Sequence, residues 1–384
     1  MKTKVALLVF NPFINDSRVL KESISLANHG YEVEVIAHLD KKLVQTQKQE
    51  NFIVRRFGYL DRSITKSMFG KSKAYFTYLA KSISYCKNFD ILHCNDLNTL
   101  PIGFIIKKFF NKNIKIIYDA HEYETETNGL SCTKKMLIKK LEQLLIPYAN
   151  KIICVSDAIA NEYVKLYNIP KPELVLNTPK YTDITKKDIF RKKLDISPNK
   201  TIFLYQGSLN RGRGVELIIS TFKELDDNSV IIFMGYGELE KKVRTAAKRY
   251  TNIYYHEVVS PNVLLEYTSS ADFGIATIED TCLSYRYCLP NKMFEYIMAE
   301  VPIIVSNLPE MKKIVKEYNI GVFVKEHNKQ DIKNALIEVK KLNNKALSVN
   351  IKKAKEVFNW EMQEKLLLKI YYDLDSRHKR ISYE

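Results

Sequence analysis

Several absences narrow the reading of this 384-residue chain. No uncharged apolar run reaches the length of a membrane span, and Met1–Phe10 reads as a strand, not as the apolar core of a secretory signal. The six cysteines (86, 94, 132, 154, 282 and 288) are scattered with no C-x-x-C pair, which argues against a disulfide framework or a zinc site and suits reduced thiols in a cytosol. No G-x-G-x-x-G follows the first strand, which counts against a dinucleotide-dependent oxidoreductase. No D-x-D stands at a suitable strand end, so no obligatory metal is expected. Internal repeats and low-complexity segments are missing, as is any nucleic-acid module, and nucleic acid ranks last among partners despite the charge.

What is present is a chain with 46% hydrophobic and 27% charged residues, long enough for two domains of ordinary size. Its formal charge of +16 makes phosphorylated substrates and anionic lipid candidates alongside nucleic acid. The first third alternates strand and helix. Val5–Phe10 is a strand broken by Asn11-Pro12; Asp16 or Ser17 caps a helix over Arg18–Asn28; Tyr31–Ala37 and Phe52–Phe57 are further strands. A basic, aromatic helical stretch runs from about Ser67 to Cys86.

A strand ending at His93 leads to a loop carrying Asp96, and a strand over Ile114–Asp119 delivers Ala120-His121-Glu122. Ligands of open α/β sheets sit outside the carboxyl ends of strands, so His93, Asp96, His121 and Glu122 stand where chemistry is expected, His121 ahead of His93. Lys134–Lys151 is a candidate amphipathic helix whose Met136, Leu137, Leu141, Leu144 and Leu145 form one face, with lysines 134, 135, 139 and 140 elsewhere. The ordinary reading is a core-facing apolar side with solvated lysines, and taken alone it is favoured. The sharper reading joins this helix to the basic, aromatic run Lys107–Lys115 as a surface for peripheral contact with an anionic membrane.

The polar stretch 179–200, with prolines near both ends, reads as an interdomain connector after a first domain of residues 1–178. A second domain over 201–360 opens with the strand Thr201–Gln206, then G-S-L-N-R-G-R-G, then a helix over Val215–Phe222. Glycines between strand and helix let backbone amides approach a phosphate, and arginines add charge. Val230–Gly235 and Ile253–His256 are strands, and Ser260-Pro261 starts the next helix. In Leu289–Ser306, Pro290 and Asn291 punctuate the entry to a helix, and Val301–Val305 follows as a buried strand. Lys292 sits at the helix start, where free N–H groups and the dipole favour an anion; Glu295 lies one turn on and reaches the same pocket. A cation for a diphosphate and a carboxylate for ribose hydroxyls together suit a nucleotide sugar.

L-P-N-K-M-F-E-Y with P-I-I-V-S resembles the donor-binding segment of family 4 glycosyltransferases of the GT-B fold, and N-D-S-R-V-L-K-E, H-C-N-D-L-N-T-L-P, Y-D-A-H-E and the glycine loop resemble other segments of that family. The resemblance implies an α/β architecture of two Rossmann-like doubly wound domains facing across a cleft, with a C-terminal helix (361–384) packing back on the first. It implies a retaining enzyme that moves a sugar from a nucleotide diphosphate sugar, a UDP-sugar foremost, to a glycan or lipid-linked acceptor at the inner face of the membrane. Arg213 and Lys292 would hold the phosphates, Glu295 the ribose, and His121 the transferred sugar. Gly207, Ser208, Gly214, Pro290 and Asn291 would line the donor site; Gly235, Gly237 and Val259 would line the nucleobase pocket. Asp16, Arg18, His93, Asp96, Glu122 and Tyr287 would meet the acceptor or sugar. Two positions depart from the family pattern: Ser208 stands where many members have arginine, and Tyr287 where many have glutamate. Glu279 and Asp280 are the candidates to take the place of that glutamate. The rival readings are a GT-B sugar-nucleotide epimerase and a non-catalytic GT-B partner subunit.

Overall fold

The computed structural model describes residues 2–59 and 68–375; Ser67 and positions 376–384 of the predicted C-terminal segment lie outside the described residues. Its contacts divide the chain into two compact units. One gathers the residues up to Leu176 with those from Glu364 onward, and the other spans Asn177–Gln363.

The first unit is built on eight strands: β1 (Lys4–Leu8), β2 (Glu32–Leu39), β3 (Thr46–Lys48), β4 (Ile53–Tyr59), β5 (Ile91–Asn95), β6 (Lys115–Ala120), β7 (Lys151–Cys154) and β8 (Glu173–Leu174). They lie in the order β3-β4-β2-β1-β5-β6-β7-β8. All pairings are parallel except that of the short edge strand β3 with β4. β5 is buried throughout, and β1 and β6 apart from their first residues, as parallel strands covered on both faces must be. Helix Trp360–Leu374 begins in the second unit and ends in the first. There Tyr371 is buried and packs edge-on against Tyr31 at 5.4 Å.

The second unit carries β9 (Thr201–Gln206), β10 (Ser229–Met234), β11 (Ile253–His256), β12 (Phe273–Ala276), β13 (Ile303–Ser306) and β14 (Gly321–Val324). These are all parallel in the order β11-β10-β9-β12-β13-β14. The crossover helices cover the sheet around a core that includes Phe203, Phe222, Ile231, Phe233 and Ile304. Strand order reverses at β9 and β12, so the loops after these strands diverge and open a crevice at their carboxyl ends.

Two expectations are corrected here. The stretch 179–200 is no free connector: it belongs to the second unit, and helix Ile189–Leu194 buries Phe190 against Tyr267 while Arg191 pairs with Asp272 at 2.8 Å. Its polar composition hid two apolar anchors, Phe190 and Ile196, and the ion pairs of Lys186 and Arg191 to Asp272. The second concerns the lysine-rich helix, which runs over Cys132–Leu145 and stops at a 3-10 turn containing Pro147. It buries Glu142 and Leu145, whereas Met136, Leu137, Leu141 and Leu144 are exposed. The reason is the acid. Tyr118, Tyr163 and Tyr167 each donate to Glu142 at 2.6 Å, and burial, opposed by these three phenols, raises its pKa.

Candidate functional site

In the second unit the loops after β9, β10 and β12 and the start of helix Asn291–Met298 carry most of the predicted donor residues. Gly207 follows β9 with a φ of +98°, and Gly235 follows β10 so closely that a Cβ there would lie 1.8 Å from the Gly207 carbonyl oxygen. Only hydrogen fits between the two loops. Gly214 opens helix Val215–Phe222 in the left-handed region, φ +73°, with its missing Cβ directed at Thr277 Oγ1.

Helix Asn291–Met298 is pinned to β9 by its own side chains. Tyr296 donates its hydroxyl to Leu204 O at 2.8 Å and accepts from Gln206 N at 3.1 Å. Gln206 in turn donates its side-chain amide to Glu295, while the Thr268 hydroxyl donates to Gln206 Oε1 at 2.8 Å. Lys292, held at the helix start, places Nζ 3.5 Å from the centroid of the Tyr205 ring. That ammonium is buried and has no hydrogen-bond partner. Burial first, then the charge of Arg213, holds its pKa well below the usual lysine range, with Glu295 pulling the other way. Gly207 adjoins it, since a Cβ there would stand 3.8 Å from Lys292 Cε. Half-buried Arg213 lies 4.5 Å from the centroid of Tyr285 and acts electrostatically on both Lys292 and Tyr205. Two cations, neither ion-paired among the described residues, thus lie each on its own aromatic ring beside a glycine loop and a helix start.

The first unit assembles a different centre at the carboxyl ends of β5 and β6. Asp119 Oδ2 accepts from Arg18 Nε at 3.0 Å and Nη2 at 2.7 Å, and lies 3.4 Å from His93 Nε2 and 3.5 Å from His121 Nε2. Arg18 also donates to Val175 O at 2.8 Å and pairs with Glu22 at 3.1 Å. Burial alone would raise the Asp119 pKa; Arg18, then His121 and His93, reverse the sign and hold it well below the carboxylate range. His121 Nε2 sits 3.0 Å from Asn95 Oδ1, and Nδ1 is 3.6 Å from Asp96, whose φ of +62° is strained. Burial depresses the His121 imidazole, but Asp96 and Asp119 outweigh it and lift its pKa to about 9. Glu124 is pushed to about 9 as well, by burial and then by the Asp96 carboxylate, and is protonated at neutral pH. Glu22, His93 and Asp119 come close enough for a shared cation, but the Arg18 guanidinium already bridges both carboxylates, so the donor set does not fit a metal ion.

The comparisons with known proteins agree with this layout. The profile described as Glycosyltransferase Family 4 matches residues 18–177, and that described as Glycosyl transferases group 1 matches residues 186–357. An uncharacterized glycosyltransferase of Methanocaldococcus jannaschii is 25% identical over 291 residues, 71% of this chain and 72% of the relative. Sucrose-phosphate synthase from Thermosynechococcus elongatus superposes with a TM-score of 0.79 at 15% identity, covering 98% of this chain and 100% of the other. Anabaena HepE, solved in complex with UDP-glucose, does so with a TM-score of 0.74 at 15% identity, covering 96% and 99%. The chain is a glycosyltransferase of the GT-B fold.

The glycosyltransferase brings Gly207, Arg213, Gly214, Lys292 and Glu295 together, with Ser208 exposed beside them and Gly235 packed on the loop. Gly237 and half-buried Val259 follow β10 and β11, and Pro290 and exposed Asn291 form the helix entry. Tyr287 ends the short helix Leu283–Arg286. Of the two candidate replacement acids, Glu279 acts on Tyr205 whereas Asp280 is paired with Arg286 at 2.9 Å. His121 and Asp96 are neighbours at the carboxyl ends of β6 and β5, and Glu122 follows in the same loop and is exposed.

Three of the expected contact residues are engaged within the protein. Arg18 and His93 are 3% and 0% exposed, locked by Asp119 and, for His93, by the Tyr371 hydroxyl at 2.8 Å. They brace the centre, Arg18 from helix Ser17–Asn28 and His93 from β5. Asp16 caps helix Ser17–Asn28, accepting from Val19 N and from Asn11 Nδ2. Asp119, Asn95, Glu124, Gln206 and Tyr205, which contact or act on these candidates, were not read from the sequence. For Asp119 a signal was available, because it is the acid of Y-D-A-H-E at the carboxyl end of its strand.

Proposed function

We propose that this glycosyltransferase is a retaining family 4 enzyme. It transfers a hexosyl or N-acetylhexosaminyl group from a nucleotide diphosphate sugar to a glycan or lipid-linked acceptor in bacterial cell-surface polysaccharide synthesis, at the cytoplasmic face of the membrane. A UDP-sugar is the first candidate donor, a choice supported by the UDP-glucose held by the HepE structure. No metal enters the scheme. The observation that carries the reading is the Lys292 ammonium, buried, without a hydrogen-bond partner, and close to Arg213. A buried cation without an anion is costly, and a diphosphate is the partner that would relieve it.

In this reading Lys292 and Arg213 stabilise the negative charge that grows on the departing diphosphate, and Glu295 accepts from the ribose hydroxyls. The acceptor hydroxyl bonds to the anomeric carbon on the face from which the diphosphate leaves, and a phosphate oxygen takes its proton. His121, cationic between its two carboxylates, positions the transferred sugar and is no base at neutral pH.

A thermal-shift screen against UDP-, GDP-, ADP- and CMP-sugars tests the donor site. At about 100 times Kd a bound donor adds about 2.7 kcal/mol of stability. One nucleotide class is expected to raise the melting temperature, and Arg213→Ala and Lys292→Ala to abolish that rise. A screen in which no nucleotide sugar shifts the protein, or a shift that survives in both variants, overturns the assignment. Labelled donor with and without acceptor separates transfer from epimerisation.

A further inference from the structure

Helix Cys132–Leu145 is inverted relative to an ordinary surface helix. Leu137, Leu141 and Leu144 fall within about 60° of helical arc, and they are 69%, 42% and 60% exposed. Exposed Lys134 and Lys140 lie on the two flanks of this stripe. The helix's one acid, Glu142, points the opposite way and is buried under three tyrosine hydroxyls. Rolling the helix to hide the leucines would strip those bonds from a carboxylate, so the outward face is fixed. A further tie holds it, Lys135 to Glu126 at 2.8 Å.

A second patch of the same chemistry adjoins it. Helix Leu100–Phe109 packs against Cys132–Leu145, and its end carries Lys107, Lys108 and the exposed rings of Phe109 and Phe110. Lys107 ties that end to Tyr148 O and Asn150 Oδ1, each at 2.8 Å, just beyond the leucine helix. No helix among the described residues is long and apolar enough to cross a membrane.

We propose that this face docks on an anionic phospholipid surface, with the leucines at the acyl boundary and the lysines among the headgroups. The charge argument selects the occupant. Every charged residue on the exposed arc is a lysine, so a second copy of the chain would bring like charges together, whereas an anionic bilayer offers both countercharge and an apolar layer. The inference gives a location to the lipid-linked acceptor of the proposed function, yet its test reads binding and not turnover, so either can fail alone.

The full chain is floated with phosphatidylcholine vesicles, with and without phosphatidylglycerol, at low salt and at about 0.5 M NaCl. Binding is expected at low salt to the anionic vesicles only. The exposed double variants Leu137→Ser/Leu144→Ser and Lys134→Glu/Lys140→Glu should each lower it at least about tenfold with an unchanged melting temperature. Equal partitioning to both vesicles, full binding by either variant, or a wild-type dimer that the leucine variant dissolves overturns the proposal. Binding to polyglutamate as tight as to the anionic vesicles, with the leucines dispensable, points to an acidic protein and also overturns it.

Discussion

The two charged centres of this glycosyltransferase are opposites. In the first unit the charges are paired: Arg18 spans Asp119 and Glu22, and His121 stands between two carboxylates. In the second, Lys292 lies on an aromatic ring with no hydrogen-bond partner, and Arg213 rests on another ring. A paired centre is a brace whose geometry exists before any ligand arrives. A cationic centre lacking its counterion spends folding stability on an affinity that a ligand completes. The contrast assigns structural duty to Arg18 and chemical duty to Lys292, although both are buried basic residues near strand ends.

The largest effect should come from breaking the brace. Arg18→Met leaves Asp119 buried without its cation, and loss of about 3–5 kcal/mol is expected, read from denaturant unfolding. A loss below about 1 kcal/mol would mean the pair behaves like a surface contact and would erase the contrast. Next, Lys292→Met should slow turnover at least about 100-fold, near 3 kcal/mol in barrier, while leaving the melting temperature equal or higher, because it removes a buried polar group without a hydrogen-bond partner. Near-normal turnover, or unfolding like that of Arg18→Met, would put both lysine and arginine in the same class.

The smallest effect is a pH dependence. His121 has a folded pKa of about 9, above its ordinary value of 6.5. Its contribution to stability is therefore fully present below the unfolded value and fades as pH rises through the folded one. The difference in melting temperature between wild type and His121→Gln should be flat in mild acid and shrink between those two pKa values. A difference that grows with pH would place the neutral imidazole, not the cation, in the native centre.

Much of the scaffold was legible in the residues. The strands Thr201–Gln206 and Ile253–His256 and helix Val215–Phe222 were read with the bounds observed, because apolar runs there end at glycine or at polar turns. The edge strand Thr46–Lys48 and helix Asn344–Val357 were not read. The first is three polar residues held by its neighbour, and the second shows only Leu347, Ile351 and Ala354 as a thin apolar line among lysines. At the donor side, Lys292 and Glu295 were legible from their place on a helix. The Arg18–Asp119 bond was not, since its partners lie 101 positions apart. Periodicity also revealed the Leu137–Leu144 stripe without revealing which way it faces. That was decided by Glu142 and by tyrosines contributed from β6 and from helix Asp157–Tyr167.

The path of the chain has a practical corollary. The Thr3 hydroxyl donates to the Asp375 carboxylate, so positions 3 and 375 touch within one unit, and the other unit is covalently an insertion between Leu176 and Glu364. A permuted gene that joins these neighbouring positions through a short linker and opens a surface loop elsewhere would keep the connectivity of both sheets. A label fused at either position would report on the same spot.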